Sequence, residues 1–437
     1  MYIRIGLSNN DLTSRIHQTA SFRSTEPLLI ETGDAHEHTV SRLPPGKTLV
    51  VSATGAALML TGLNDSAMTK CSRLRIATAV PQAEITVSSL MRSGAGGKNA
   101  AVYKGSIEVS AADNGIRLIL LCEPDSYLQG VLGSEMPCSY SKEALKAQAV
   151  TARTYGLHPR IDHTAEGFNV CDSFLCCQNF TGNAQPLNEH YAEAIASTHN
   201  EILTCKDVPI LALFSSCAGG HTESYENCFS DPVTQEFPPQ PIPYLQGVAE
   251  GHLQFNLGDE GQLKQFYTSP KPDTCDSWSP HFRWQIALPA DSLESHMHHI
   301  VATMLSDNQF ASFIKPPASQ QFGHIEKFAV PRRGSAGTAI NMVIYTSAGQ
   351  WTVLKELVIR SVFKNPDMKL TRLQSARIFF KHERDKLGLL STLVICGLGW
   401  GHGVGFQQTG AQGLALSGIN YREILSHYYK GATIQRL

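Results

Sequence analysis

Residues 127–155 read YLQGVLGSEMPCSYSKEALKAQAVTARTY, and this stretch organises the rest of the chain. It opens with apolar residues that predict a strand, breaks at residues 134–137 (SEMP) and continues as an alanine-rich helix. Ser139 or Ser141 can cap the first turn of that helix. Small and apolar side chains recur at helical spacing and predict a closely packed face: Leu145, Ala149, Ala152 and Gly156.

Glu135 lies at the break between the two predicted elements. A general acid must hold a proton at the working pH, and partial burial beside Leu132 and Met136 would favour that form by desolvation. The alternative is a carboxylate that only stabilises the end of the following helix. Lys146 and Arg153 are seven residues apart and share one helical face. That spacing favours a solvated basic stripe, and the alternative is that both point at a substrate or at Glu135.

A second candidate site is the group His163, Cys171, Cys176 and Cys177, with His158 as a substitute ligand. Thiolates and imidazole suit tetrahedral Zn²⁺. Adjacent cysteines differ from the usual C-x₂-C spacing, so buried or disulfide-linked thiols are the alternative. The chain has eleven cysteines, an odd number that leaves at least one unpaired and does not settle the redox compartment.

Composition excludes several functional classes. The chain has 437 residues, enough for two or three domains, and a formal net charge of −2. It therefore lacks the general basic field that holds nucleic acid or anionic lipid. No apolar run is long enough for a membrane helix, and residues 1–15 alternate like a strand without a cleavable signal pattern. This predicts either an intracellular protein or export by a signal outside the present numbering.

The remaining pattern predicts a mixed α+β fold, because strands and helices do not alternate as in βαβ units. Residues 1–100 read as a β-rich accessory region with a flexible break at 93–99 near its end. A hairpin (103–109 and 116–121) follows. Residues 101–437 form the predicted catalytic domain, with a variable insertion at 231–320. Further helices are predicted at 189–196 and 291–305, and further strands at 201–205, 211–216, 325–331, 339–346 and 352–358.

Two glycine-containing segments predict the walls of a binding site. Residues 399–413 (GWGHGVGFQQTGAQG) match neither a dinucleotide fingerprint nor a phosphate loop. Glycine at this density implies close backbone approach, which suits a wall that carries Trp400 and His402. The other segment, residues 215–223, is rich in small side chains and is interpreted as a substrate-binding loop with the candidates Ser215, Ser216, Gly219, Gly220, Thr222 and Glu223.

Taken in order, these segments resemble the SpoIID/LytB family, which comprises the sporulation stage II protein D lytic transglycosylases and their amidase-enhancer relatives. The resemblance extends from about residue 103 to the C-terminus. The blocks that carry it are residues 127–155, 168–178 (FNVCDSFLCCQ), 214–227, 399–413 and 421–431. One departure is the sequence Gln-Gln-Thr at 407–409, where the family usually has Ser-Gln-Trp. This puts the sugar-stacking role of the missing tryptophan in doubt.

The resemblance implies a role for each matching residue. Glu135 would be the catalytic acid, with Arg153 and Lys146 as supporting basic residues. His163, Cys171, Cys176 and Cys177 would hold a zinc ion. Its role would be structural, because four protein ligands leave no open position for water. Cys176 stands where many members have histidine, a substitution that is chemically compatible with zinc.

The implied reaction is cleavage of the MurNAc-β-1,4-GlcNAc bond of peptidoglycan to give 1,6-anhydro-MurNAc ends, in a glycan-binding cleft. The alternatives are a non-catalytic glycan-binding activator of a cell-wall amidase, and a zinc amidase. The implied partners are glycan strands and a cell-wall amidase, with a homodimer as a further possibility. The implied location is the cell envelope, periplasmic or extracytoplasmic.

Overall fold

The computed structural model describes residues 2–33, 38–63, 69–94, 97–159, 162–183 and 187–437. The chain divides into two compact units. The N-terminal unit comprises Met1–Leu211 together with Ile434–Leu437, and the C-terminal unit comprises Ala212–Thr433.

The secondary structure mixes many strands with fewer helices. In chain order the strands are β1 Ile3–Gly6, β2 Thr19–Arg23, β3 Leu28–Gly33, β4 His38–Leu43, β5 Leu49–Thr54, β6 Ala57–Thr61, β7 Thr69–Cys71, β8 Arg73–Thr78, β9 Glu84–Gly94, β10 Gly97–Lys104, β11 Ser106–Ala112, β12 Gly115–Cys122, β13 Val170–Cys171, β14 Glu201–Cys205, β15 Val208–Pro209, β16 Phe214–Ser215, β17 Arg283–Pro289, β18 Ile314–Lys315, β19 Ile325–Arg333, β20 Ala339–Thr346, β21 Gly349–Leu354, β22 Ile378–Arg384, β23 Leu390–Leu398, β24 Phe406–Gln407 and β25 Thr433–Arg436. The helices are α1 Pro124–Glu135, α2 Lys142–Leu157, α3 Glu189–Ser197, α4 Glu260–Thr268, α5 Ala290–Leu305, α6 Glu356–Ser361, α7 Gln408–Leu416 and α8 Tyr421–Tyr428.

The N-terminal unit is built on two large sheets. Their strand orders are β13-β1-β12-β11-β8-β3-β4 and β10-β9-β2-β5-β6-β7, and a small sheet β15-β14-β25 completes the unit. Inward side chains such as Phe22, Val51 and Leu118 are fully buried, as expected for alternating strands that share a core. The predicted β-rich N-terminal region and the hairpin (β11 and β12) are confirmed. The predicted flexible break at 93–99 is wrong in its described part, because Gly94 and Gly97 pair at the end of a β9–β10 hairpin, whereas residues 95 and 96 lie outside the described residues.

The predicted strand at the start of the 127–155 stretch is wrong, because these residues form α1. Pro124 begins the helix, where its missing N–H is not needed. The apolar residues Tyr127, Leu128, Val131 and Leu132 then follow at helical spacing and are fully buried. A short apolar run fits a buried helix as well as a strand, so packing decides between them. Helix α2 is confirmed, with Ser141 at the N-cap position and the predicted small-residue face buried.

The C-terminal unit contains the sheets β17-β23-β22 and β18-β21-β20-β19, and the short parallel pair β16 and β24. Helix α5 was predicted from the sequence and buries Leu293, Met297 and Val301 in the core of this unit. Two predicted strands are shorter than expected, since 211–216 gives only β16, and 352–358 ends at Leu354. Lys355 has a φ of +71°, which interrupts the strand before α6.

The α+β fold class is confirmed, with 23% helix and 35% strand. Strands on both sides of residue 100 pair within the same sheet, and the compact units divide at Leu211. The expected boundary near residue 100 and the insertion at 231–320 stay predictions. Within the described ranges, no helix is long and apolar enough to cross a membrane.

Candidate functional site

Glu135 is the last residue of α1, and its side chain is half-buried. The backbone N–H of Asn179 donates a hydrogen bond to Oε1 of Glu135 at 2.8 Å. The hydroxyl of the preceding residue, Ser134, donates to the carbonyl of Asn179 at 2.7 Å. One residue therefore fixes both the Glu135 carboxyl group and the last turn of its helix.

The segment around Asn179 is itself packed against α1. The Gln178 side chain donates to the hydroxyl of Tyr127 and to the Ala152 carbonyl, the latter at 3.3 Å. The ring of Phe180 stacks on Tyr127 with centroids 5.4 Å apart. A Cβ atom added to Gly130 would lie 2.5 Å from the Phe180 ring, so this glycine permits the close contact. Glu135 is thus held by a well-packed segment that directly follows the cysteine cluster.

The four predicted metal ligands converge in the N-terminal unit. The ligand atoms of His163, Cys171, Cys176 and Cys177 all lie within 4.8 Å of one another. Nε2 of His163 is 3.4 Å from the Sγ atoms of both Cys176 and Cys177, and these two Sγ atoms are 4.0 Å apart. Tetrahedral zinc with bonds of about 2.0–2.3 Å needs ligand atoms roughly 3.3–3.8 Å apart. The two distances from His163 lie in this range, and the other ligand atoms are close enough to reach it with small movements.

The protonation states of these groups depend on one another. Burial opposes a charged imidazole, but hydrogen bonds with Cys176 and Cys177 outweigh it and raise the pKa of His163 to about 10. The same two neighbours and burial raise the pKa of the Cys171 thiol. These groups compete for protons, and a bound cation would replace those protons. The disulfide alternative is not found, since these cysteines are free thiols within the described part of the chain.

A second layer of contacts orients His163. Its Nδ1 lies 3.0 Å from Oε2 of Glu166, which leaves Nε2 directed at the thiols. This carboxylate–histidine arrangement is typical of metal sites. Burial works against ionisation of Glu166, but hydrogen bonds with Arg15 and His163 lower its pKa. Phe168 packs against the imidazole with ring centroids 4.6 Å apart.

The two basic residues of α2 differ in their environments. The Arg153 side chain is fully buried, and it donates to Oδ1 of Asp125 at 2.9 Å and to the carbonyl of Glu201 at 3.0 Å. Asp125 precedes Glu135 by ten residues in α1, about 15 Å along the helix axis. The solvated-stripe interpretation is therefore wrong for Arg153, which fixes the far end of α1, and a direct catalytic role stays a prediction. Lys146 is half-buried and pairs with Glu143 at 2.8 Å.

The small-residue loop at 215–223 lies in the C-terminal unit and is packed as a core element. The amides of Gly219 and Gly220 donate to Oδ2 of the buried Asp276 at 2.7 and 3.0 Å. The Ser215 hydroxyl binds the Gln407 side chain at 3.0 Å and accepts from the amide of Gly403 at the same distance. The loop is therefore part of the core of this unit, and substrate binding by its residues stays a prediction.

Two further candidates in this loop are also buried. Thr222 exchanges hydrogen bonds with the Val248 backbone at 2.7 and 2.8 Å. Oε1 of Glu223 accepts from Asn227 at 2.9 Å and from the Ser335 hydroxyl at 3.1 Å, and Oε2 accepts from the Ala336 amide at 3.1 Å. A buried carboxylate with this many donors organises the surrounding loops.

A residue that the sequence did not indicate, Arg377, shapes the glycine-rich block. Its buried guanidinium donates to the carbonyls of Cys217 at 3.0 Å, Leu398 at 3.2 Å and His402 at 3.3 Å. A Cβ atom at Gly403 would lie 1.9 Å from this guanidinium. The glycine spacing therefore reflects a loop wrapped around a buried cation, and no motif in the sequence marks Arg377.

Trp400 and His402 have different surroundings within this block. Burial, together with Arg360 and Arg377, lowers the pKa of His402 to about 3, and its Nδ1 accepts from the Val404 amide at 3.0 Å. His402 is therefore neutral and fixes the backbone. Trp400 is 42% exposed. At position 409, where the resemblance leads one to expect tryptophan, the buried threonine hydroxyl donates to the carbonyl of Ser216 at 2.9 Å.

The structure thus brings Glu135 and the four metal ligands together through the segment 171–180 of the N-terminal unit. The remaining candidate residues lie in the small-residue loop and the glycine-rich block. These two segments form hydrogen bonds with each other within the C-terminal unit.

Comparisons with known proteins agree with the sequence motifs. Residues 112–205 match the family described as "Stage II sporulation protein", and residues 231–405 match a domain of unknown function. The chain is 28% identical over 309 residues to the amidase enhancer of Bacillus subtilis (strain 168), which covers 70% of this chain and 40% of that protein. It is 25% identical over 324 residues to stage II sporulation protein D of the same strain (71% and 74%). It is also 26% identical over 341 residues to an uncharacterized protein of Brachyspira hyodysenteriae (77% and 73%).

Proposed function

Because the chain belongs to the SpoIID/LytB family, we propose that it is a peptidoglycan lytic transglycosylase with Glu135 as general acid and base. Relatives named amidase enhancer and stage II sporulation protein D support a role at the cell wall. The alignment spans only about two fifths of the amidase enhancer, so the activity, the substrate and the partners are part of this proposal. The same reasoning proposes an extracytoplasmic location at the cell envelope.

The reaction needs a single carboxyl group. Protonated Glu135 donates its proton to the glycosidic oxygen as the bond from C1 of MurNAc to that oxygen breaks. The resulting carboxylate then removes the proton from the C6 hydroxyl of the same MurNAc, and O6 bonds to C1 to give the 1,6-anhydro ring. The nucleophile comes from the substrate, so the second carboxylate of most glycoside hydrolases is not required.

The observation that carries the proposal is the way Glu135 is held. One carboxyl oxygen is fixed by the Asn179 amide, and the side chain remains only half-buried at the end of a packed helix. A catalytic acid needs this combination of fixed orientation and access to a ligand.

We further propose that His163, Cys171, Cys176 and Cys177 hold zinc in a structural role. The ion would cross-link the segment that ends at Asn179, and with four protein ligands it would supply stability and no reactive water. The protein residues then orient Glu135, and no step of the reaction passes through the metal.

The test compares purified glycan strands, with and without stem peptides, after incubation with the wild type, Glu135→Gln and the control Glu189→Gln. Glu189 lies in the same unit and is strongly exposed. We expect anhydro-MurNAc ends by mass spectrometry, reduced at least about 100-fold in Glu135→Gln and unchanged in the control. Equal product from Glu135→Gln at an unchanged melting temperature, or reducing ends from hydrolysis, would refute the assignment.

A second candidate function is a non-catalytic, glycan-binding activator of a cell-wall amidase. The relative named amidase enhancer favours it. Glycan binding by the wild type without any anhydro product, together with faster stem-peptide release by an added amidase, would support this function over the first.

A further inference from the structure

The tryptophans of this chain fall into two groups by exposure. Trp284 and Trp351 are buried in the C-terminal unit, whereas Trp278 and Trp400 are 45% and 42% exposed. A half-exposed indole offers both an apolar ring and a polar N–H, a combination that is enriched at interfaces.

The two exposed tryptophans are attached to neighbouring residues of one segment. The Trp400 backbone pairs with Cys217 through hydrogen bonds of 2.9 and 3.1 Å. The amide and hydroxyl of Thr409 donate to the carbonyl of Ser216 at 3.0 and 2.9 Å. The indole N–H of Trp278 in turn donates to the carbonyl of Thr409 at 3.3 Å. The Trp400 backbone and the Trp278 side chain are therefore anchored within one small region of the C-terminal unit.

A short turn joins them on a second side. His281 follows Trp278 by three residues, and its ring meets the Trp400 ring edge-on, with centroids 4.4 Å apart and an interplanar angle of 70°. The carbonyl of Phe282 then accepts a hydrogen bond from the amide of Gly399 at 3.0 Å. The Trp278 N–H hydrogen bond and the His281 ring against Trp400 favour one orientation of each indole before a ligand binds, which limits the entropy lost on binding.

The surrounding sequence indicates the chemistry of the ligand. Residues 277–282 (SWSPHF) and 399–413 contain no Asp, Glu, Lys or Arg. Uncharged aromatic and polar groups do not suit a phosphate or a strongly charged peptide. They suit sugar rings, which offer an apolar face to an indole and hydroxyl groups to neutral polar side chains.

We propose that Trp278 and Trp400 form an aromatic glycan-binding surface in the C-terminal unit. The identification of the ligand as a peptidoglycan glycan chain rests on the proposed function. Trp278 is the new element of this surface. It lies against Thr409, and in this chain it supplies an indole from a different segment.

The binding test uses the full chain in a Glu135→Gln background, so that no ligand is cleaved. The probes are peptide-free glycan strands and a soluble β-1,4-linked N-acetylglucosamine oligomer, measured by calorimetry and by quenching of tryptophan fluorescence. Trp278→Ala and Trp400→Ala should each weaken binding roughly 3- to 10-fold. Trp278→Phe should keep most of the affinity, because a ring remains although the N–H donor is lost.

The matched control is Leu387→Ala, which removes an exposed apolar side chain (83% exposed) from the same unit. Its affinity should stay unchanged, as should the melting temperatures of all these variants. Unchanged glycan affinity of folded Trp278→Ala would overturn the inference, as would an absence of binding by the Glu135→Gln background. Weakened binding by Trp278→Ala in a chain whose wild type makes no anhydro product would support the surface and refute only the catalytic proposal.

Discussion

Replacement of Cys176 by serine tests the metal site at the ligand whose side-chain packing contributes least to stability. Cys176 is exposed, so without a metal this change should alter the free energy of unfolding by no more than about 0.5 kcal/mol. With a metal, it removes one of four ligands. Ligation of His163 and Cys177 closes a loop of 15 residues. Cross-linking a loop of that length contributes about 3 kcal/mol through the entropy of the unfolded chain.

This difference is large enough to measure by thermal unfolding. In a unit of about 215 residues, each kcal/mol changes the melting temperature by roughly 2–4 °C. Complete loss of the metal should therefore lower it by roughly 6–12 °C. Elemental analysis should show one zinc ion per wild-type chain and much less in Cys176→Ser.

Three comparisons make this prediction specific. Cys205→Ser changes a free cysteine of the same unit outside the cluster and should leave both measurements unchanged. Cys176→His restores a zinc ligand and should recover both. Hydrogen exchange at the amide of Asn179 should become faster in Cys176→Ser, because this amide binds Glu135 next to the metal segment. A melting temperature within about 2 °C of the wild type, with unchanged zinc content, would refute the structural role.

Two predictions concern the C-terminal unit. Arg377→Met should destabilise it by at least about 3 kcal/mol, because three buried carbonyls lose a charged donor. Urea unfolding measures the change in the free energy of unfolding, and the exposed Arg332→Met is the control. A loss of stability below about 1 kcal/mol in Arg377→Met would contradict the prediction. Burial, together with Asp276, raises the folded-state pKa of Glu250 from 4.5 to about 8. The stability linked to this proton is therefore fully present below pH 4.5 and is lost as the pH rises to about 8, with a slope of up to about 1.4 kcal/mol per pH unit. Glu250→Gln should remove that part of the pH dependence of unfolding, whereas the exposed Glu383→Gln should leave it unchanged. A pH profile of unfolding for Glu250→Gln that is identical to that of the wild type would contradict the raised pKa of Glu250.

Local patterns in the sequence predicted features that depend on neighbouring residues. The spacing of Leu145, Ala149 and Ala152 predicted which face of α2 is buried, because helical periodicity places these residues together in any context. The alternating runs of the first hundred residues predicted a β-rich region for the same reason. The metal ligands were predicted from residue type and from the family resemblance, and the fold brings them together.

Tertiary structure alone decided the features that depend on what packs against a segment. The apolar residues before Glu135 form a helix because Phe180 and Gln178 cover one side of it. Arg153 is buried because Asp125 and the Glu201 carbonyl offer it partners that lie far away in the sequence. The 127–155 stretch thus specified α2 and the position of Glu135 in the chain by itself. Residues 178–180 supply the contacts that cover α1 and hold Glu135, and such long-range contacts leave no local pattern in the sequence.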